Sequence, residues 1–319
     1  MNVGFHASGI FPRSEKLIQA TRDFAHKRCS KEDVRKAFEA DARELVEMQR
    51  KEGFSFITDG MLLWDDIFRP FSESLGGVKA GGVTRYFENN TFFRQPVITG
   101  RLALNGPFIQ KYLFKEWVKG DFPKIINLPG PYTFSVLSED SYYHDRQKLM
   151  QEFSVILNAV AKELEKLGIN YIRFSEPALA YAETRPGENR RKGIIENYRM
   201  MFDGVKAGTS LNLFFGDITH IIDFIPELPF SGLDIDFTET SIRNLGISLK
   251  SVSLGCIDSR SSFLEDPENI ARQARAFAES VNPERLYLTP NCDLEFLPYS
   301  IAAKKMSILK EAARLLANP

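Results

Sequence analysis

Cysteine is scarce in this chain: three among 319 residues, at positions 29, 256 and 292. So few thiols make no disulfide framework in a protein this long, and a reducing, cytoplasmic setting is expected. Long apolar runs are missing too; none approaches the ~18–20 residues that a membrane span needs. The first residues, Met1-Asn2-Val3-Gly4-Phe5-His6, lack the basic and long apolar segments of a secretory leader. An excess of one charge sign is also absent. Lys and Arg number 41 against 42 Asp and Glu, a formal net charge of −1, so neither nucleic acid nor an anionic membrane is an expected partner. There is no Gly-x-Gly-x-x-Gly turn and no phosphate loop ending in Gly-Lys-Ser/Thr, which weakens the case for an open, doubly wound nucleotide-binding sheet.

What is present is a soluble globular composition, 43% hydrophobic and 26% charged, with 26 phenylalanines that point to a large aromatic core. Short β-rich runs alternate with amphipathic stretches. The runs 2–5, 54–58, 125–128, 171–174, 210–215, 233–237, 252–257 and 285–288 are expected as strands. Helices are expected near 14–26, 30–52, 144–167, 192–207, 218–224, 241–245, 267–280 and 300–316. Ser30-Lys31-Glu32-Asp33 is a capping box that opens the second of these, and Gly53 closes it. Residues 79–102 break the rhythm, with Asn89-Asn90 as a turn between two strands. Eight strands in strict alternation with helices predict an α/β fold, a (β/α)8 TIM barrel with a β-hairpin inserted after strand 2. No linker divides the chain, so residues 1–319 are expected as one domain.

A barrel of this kind builds its site from the C-terminal ends of its strands, and several of the predicted strands end in chemically capable residues. Leu286-Tyr287-Leu288-Thr289-Pro290-Asn291-Cys292-Asp293 delivers a cysteine there, and Ile172-Arg173-Phe174-Ser175-Glu176-Pro177 a glutamate. Glu176 can serve as a general acid or base or bind an amine; its competing role is a buried hydrogen bond that fixes the loop. Asp258 and Arg260 can hold a zwitterion or carboxylate, or simply pair with each other. Arg13 suits an anionic ligand tail, or else a surface ion pair. Asp59 and Trp64 follow strand 2; Trp64 can stack on a flat ligand or pack under a loop. Asp234 and Asp236 alternate with apolar residues and should point into the barrel, where each charge needs partners. Cys292 reads equally as a metal ligand or a buried thiol, whereas Cys256 and His6 are remote alternatives as ligands.

Gly9-Ile10-Phe11-Pro12-Arg13, Asp59-Gly60, Gly130-Pro131-Tyr132-Thr133, Glu176-Pro177-Ala178-Leu179, Gly255-Cys256-Ile257-Asp258 and Pro290-Asn291-Cys292 occur in this order. Together they resemble the cobalamin-independent methionine synthase family, within the barrels related to uroporphyrinogen decarboxylase. The resemblance implies a TIM barrel that transfers a methyl group from a folate or corrinoid donor to a small thiol such as homocysteine, in methionine biosynthesis. It implies zinc, with Cys292 and Glu239 at two family ligand positions. The family's His-x-Cys ligand pair falls on Ser210-Leu211-Asn212, its pocket aspartate on Ser175, and its histidine after the seventh strand on Arg260. Glu176 and Asp258 are thus the catalytic candidates, and Arg13, Asp59, Trp64, Ser175, Asn212 and Arg260 the substrate-binding ones. Small molecules are the expected partners, with a second methionine synthase-like barrel or a corrinoid protein as further possibilities. Two other readings stay open: a non-catalytic barrel that pairs with a catalytic one, and a metal-free lyase or decarboxylase of the same superfamily.

Overall fold

A computed structural model describes residues 1–7, 9–89, 91–240 and 250–317. Ten strands appear in it: β1 (Asn2–Phe5), β2 (Leu75–Arg85), β3 (Phe92–Leu104), β4 (Ile125–Pro129), β5 (Glu139–Asp140), β6 (Tyr171–Ser175), β7 (Gly208–Leu213), β8 (Gly232–Asp236), β9 (Ser251–Ile257) and β10 (Arg285–Pro290). Seven form one curled parallel sheet in the order β1-β10-β9-β8-β7-β6-β4. Its two edges, β1 and β4, meet across residues 54–58. There Phe56 bridges to His6 and Ile57 to Lys124, each as an isolated parallel bridge. The expected second strand is thus reduced to two bridges. Part of the cause lies in Ser55, whose Oγ accepts the Phe5 N–H at 3.2 Å; a side chain makes a bond that a ladder would give to a carbonyl.

Helices join the strands, and their ends follow from local chemistry. Lys31–Glu52 starts at the full Ser30/Asp33 capping box and stops at Gly53, whose φ of 79° is left-handed. Arg146–Lys166 buries Leu149, Met150, Phe153, Ile156, Leu157, Val160, Ala161 and Leu164, a three-four spacing that lays one face on the core. The helix expected at 218–224 is instead two 3-10 turns, Ile218–Ile221 and Ile225–Glu227. Pro226 has no N–H to continue a longer ladder. The helix expected at 241–245 lies outside the described residues.

Strands β2 and β3 pair antiparallel from Leu75↔Leu104 to Arg85↔Phe92, and β5 adds to β3 in parallel. This ribbon is longer than the 79–102 segment read from sequence. Just beyond β2, Tyr86 packs against Phe68, Phe93, Phe214 and Phe215, while Phe87 packs on Tyr181 and Phe215. Phe214 and Phe215 follow β7, so the ribbon's end is bound over the C-terminal ends of the strands.

The sheet's inner face is unusually polar. Strand register sets Asn127 beside Arg173, Arg173 beside Ser210, Ser175 beside Asn212, Asn212 beside Asp234, and Asp234 beside Ser253. Barrels of this type more often fill these layers with Val, Ile and Leu. Nearer the N-terminal ends of the strands the filling is aromatic, with Phe56 stacked on Tyr171 at a ring separation of 5.0 Å.

Candidate functional site

Arg173 is fully buried at the centre of the inner face. Its Nε donates to Asp234 Oδ2 at 2.6 Å, and its Nη2 donates to Asn212 Oδ1 at 3.0 Å. Ser210 Oγ donates to the same Asp234 oxygen at 2.7 Å, and Asn212 Nδ2 donates to Ser175 Oγ at 3.3 Å. A buried charge pair needs such surrounding hydrogen bonds to offset its lost hydration. His6 lies on the same face, its Nε2 3.5 Å from Ser253 Oγ. Burial, helped by the Arg173 charge, lowers its pKa to about 4, so it is neutral at neutral pH.

At the end of β6, Glu176 is fully buried and its carboxylate is tightly held. Oε1 accepts the Tyr132 N–H at 2.9 Å and the Tyr198 hydroxyl at 2.5 Å, and Oε2 accepts the Thr133 N–H at 2.6 Å. These bonds tie it to the first turn of helix Pro131–Leu137, where unpaired N–H groups favour an anion. Gly130 is required here, because a Cβ on it would lie 2.0 Å from the Glu176 carboxyl carbon. Burial nevertheless pushes the Glu176 pKa up to about 7, against the pull of the Thr133 and Tyr198 hydrogen bonds.

Asp236 ends β8. Its Oδ1 accepts from Thr238 N and Oγ1 at 2.9 and 2.6 Å, and Asn291 Nδ2 donates to it at 3.2 Å. Cys292 follows β10 with no exposed surface. Burial raises its thiol well above the usual range, and the Asp236 and Asp293 charges raise it further. Arg260 reaches over the same corner, donating to Glu239 Oε1 at 2.7 Å and to Thr238 Oγ1 at 3.1 Å, with Asp258 Oδ1 at 3.4 Å from its Nε. Its guanidinium lies 5.5 Å from the Phe215 ring centre. A cavity of about 530 Å³ opens beside it, lined by Glu88, Asn89, Thr91, Phe92, Glu295 and Phe296.

The residues from the first third of the chain gather in a different place. Arg13 donates through Nε and Nη2 to the Leu62 carbonyl and through Nη2 to Asp65 Oδ1 at 3.0 Å. Asp59 is buried, its carboxylate accepting the N–H groups of Met61 and Phe114, and burial raises its pKa to about 6. Trp64 is buried and donates to the Tyr112 carbonyl at 3.2 Å. Arg13 and Trp64 border a cavity of about 270 Å³ that also meets Glu295. The structure therefore brings Ser175 and Asn212 together on the inner face, and Glu239, Asp258 and Arg260 at one corner beside the strand end that bears Cys292. Arg13, Asp59 and Trp64 belong to the loop region 59–66. A further cleft of about 840 Å³, between Lys31–Glu39 and Gln110–Glu116, contains none of these candidates.

Sequence reasoning passed over Arg173 and gave Asp236 no site role. Period-two alternation was the available signal: it puts Arg173 on the same face as Tyr171 and Ser175, and Asp236 at a strand end. After burial, Asp236 and not Glu239 is the main charge acting on the Cys292 thiol, while Glu239 is engaged by Arg260.

Among the described residues, the candidate side chains do not make a zinc donor set. A structural or catalytic zinc takes three or four thiolate, imidazole or carboxylate ligands. Ser210 and Asn212 are poor donors and are already bonded into the Arg173–Asp234 network. Cys292 has no exposed surface, and Asp236 is occupied by Thr238 and Asn291. Cys256 is directed to the Thr289 carbonyl at 3.8 Å, and burial pushes its thiol up to about 12. Among the described residues no group of three or more His, Cys, Asp and Glu side chains is arranged to hold a metal ion.

The chain belongs to the family of the cobalamin-independent synthase catalytic domain, whose model matches residues 7–315. A methionine synthase of Sulfolobus acidocaldarius is 24% identical over 305 residues, covering 93% of this chain and 87% of that protein. One from Pyrococcus horikoshii is 24% identical over 315 residues, covering 97% and 91%. Among solved structures, a B12-independent methionine synthase from Shewanella sp. W3-18-1, in complex with selenomethionine, superposes with a TM-score of 0.82. That match has 20% identity and covers 99% of this chain and 98% of the other, so it establishes the fold.

Proposed function

We propose that this chain is a methionine synthase-like methyltransferase, moving a methyl group from a folate or corrinoid donor to a small thiol such as homocysteine. The observation that carries this reading is the family match from residue 7 to 315, with relatives aligned almost end to end. In the reaction the substrate sulfur forms a bond to the methyl carbon, the methyl-to-donor bond breaks with its electron pair, and the thiol proton passes to a base. Glu176, with its pKa near 7, and Asp258 are the proposed proton-handling groups. Arg260 is the proposed partner of the substrate carboxylate, and Ser175 and Asn212, buried on the inner face, are proposed as further substrate-binding groups. Arg13, Asp59 and Trp64 frame the side on which the donor would enter. A cytoplasmic location and small-molecule partners are part of the same proposal.

The donor set favours a second reading. A barrel with Ser210 and Asn212 in place of His-x-Cys supports a non-catalytic partner of a separate catalytic barrel, or a metal-free lyase. The deciding experiment is homocysteine methylation by the purified protein with methyl-folate and methyl-corrinoid donors, alongside the Glu176→Gln and Asp258→Asn variants. Turnover that falls at least tenfold in either variant is expected. Absence of turnover with every donor would reject the methyltransferase proposal, and co-purification of a second barrel would then support the partner reading.

A further inference from the structure

The inner face of β6, β7 and β8 holds a cation at the place where the family places a metal. Ser210 and Asn212 stand at the two positions of the family's His-x-Cys pair, and both are committed to one network. Asn212 Oδ1 accepts from Arg173 Nη2 at 3.0 Å. Ser210 Oγ donates to Asp234 Oδ2, the oxygen that also accepts Arg173 Nε at 2.6 Å. Strand register enforces the arrangement, since Arg173 pairs with Ser210 and Asn212 with Asp234. Arg173 and Ser210 have no exposed surface, and Asn212 and Asp234 at most 2%.

We propose that the buried Arg173 guanidinium, clamped by Asp234, Asn212 and Ser210, replaces the metal ion in this barrel and makes the protein metal-independent. Three physical points support it. A divalent ion held by Asn212 Oδ1 would share that oxygen with the Arg173 guanidinium, 3.0 Å away, and like charges that close repel strongly in a low-dielectric interior. Arg173 needs its acceptors, so a metal would have to draw a buried charge away from Asp234, with which it is ion-paired at 2.6 Å. Both family positions are already engaged, Asn212 Oδ1 accepting from Arg173 Nη2 and Ser210 Oγ donating to Asp234 Oδ2. Asp234 Oδ1 has no partner among the described residues, but one carboxylate oxygen falls well short of the donors that zinc requires.

The inference concerns metal content and stands apart from the methyl-transfer proposal, because its test reads bound zinc without turnover. Zinc alone is titrated into the purified full chain, and retained metal is measured by elemental analysis after desalting. The wild type is expected to retain almost none. Near-stoichiometric zinc that is lost on Cys292→Ser would overturn the proposal. Ser210→His with Asn212→Cys restores the missing ligands. With Arg173 in place this double variant should bind zinc at least tenfold more weakly than the triple variant that adds Arg173→Gln. Equal affinity of the two would remove any role for the guanidinium. If the triple variant does not fold, tight zinc binding by the double variant still overturns the proposal, and weak binding upholds it.

Discussion

Two groups of buried polar side chains in this molecule work in opposite ways. Around residues 59–66, side chains bind backbone. Asp59 accepts two amide N–H groups, Trp64 donates to the Tyr112 carbonyl, and Arg13 donates to the Leu62 carbonyl. On the inner face of β6–β8, side chains bind one another, as Arg173, Asp234, Asn212 and Ser210 do. A side chain bound to backbone fixes a loop, and its chemistry is used up in doing so. Side chains bound to each other fix a charge distribution, and the strands would keep their course without them. The second arrangement is where a site can be rebuilt by substitution, because the backbone ladder does not depend on which polar groups stand there.

Removing one member of the inner pair should give the largest effect. Asp234→Ala leaves a buried guanidinium without its carboxylate and is expected to cost about 3–5 kcal/mol. Urea unfolding would measure it, and a loss below about 1 kcal/mol would mean that water reaches Arg173 after all. Next is Glu176, which combines both kinds of bonding. Its folded pKa, about 7, stands above the ordinary 4.5. Between these values the native state binds more protons than the unfolded chain, so stability should fall as pH rises from about 4.5 to 7. Glu176→Gln should remove that share of the slope in a series of unfolding curves; an unchanged slope would assign the titration to Asp59 or Asp293. Smallest is Arg13→Ala. Its ion pair with Asp65 is about half exposed on the acidic side, and such pairs contribute under about 1 kcal/mol. A loss of several kcal/mol by thermal or urea unfolding would show that the Leu62 carbonyl bonds hold the loop far more strongly than an exposed pair can.

Much of the fold was legible because its determinants are local. The Ser30/Asp33 box and Gly53 bracket a helix at the expected residues, and the apolar β-rich runs after Gly168 and Asn282 become β6 and β10. The segment 54–58 was read as a full strand, since its Phe-Ser-Phe-Ile pattern says nothing about Ser55 Oγ taking a ladder bond. The site was less legible because it depends on register between strands. The resemblance sets Glu239 and Cys292 at family ligand positions as an expectation, but only the assembled sheet shows Asp236 bearing on Cys292 and Arg260 engaging Glu239. Glu176 was read as either reactive or structural, and its bonds to Tyr132, Thr133 and Tyr198 assign it at least the structural part.

The meeting of β1 and β4 through Phe56 and Ile57 is the clasp of a ring. Everywhere else around the sheet neighbouring strands share a ladder of at least four residue pairs, with one register shift between β10 and β9, whereas here closure rests on a few single bonds, among them Ser55 N–H to the Phe5 carbonyl and Ile57 N–H to the Pro123 carbonyl. A ring is weakest where its wall has the fewest bonds. If the wall opens at this seam, it does so next to the Phe56–Tyr171 stack, and because Tyr171 and Arg173 share β6, water admitted there would meet the near end of the charged network.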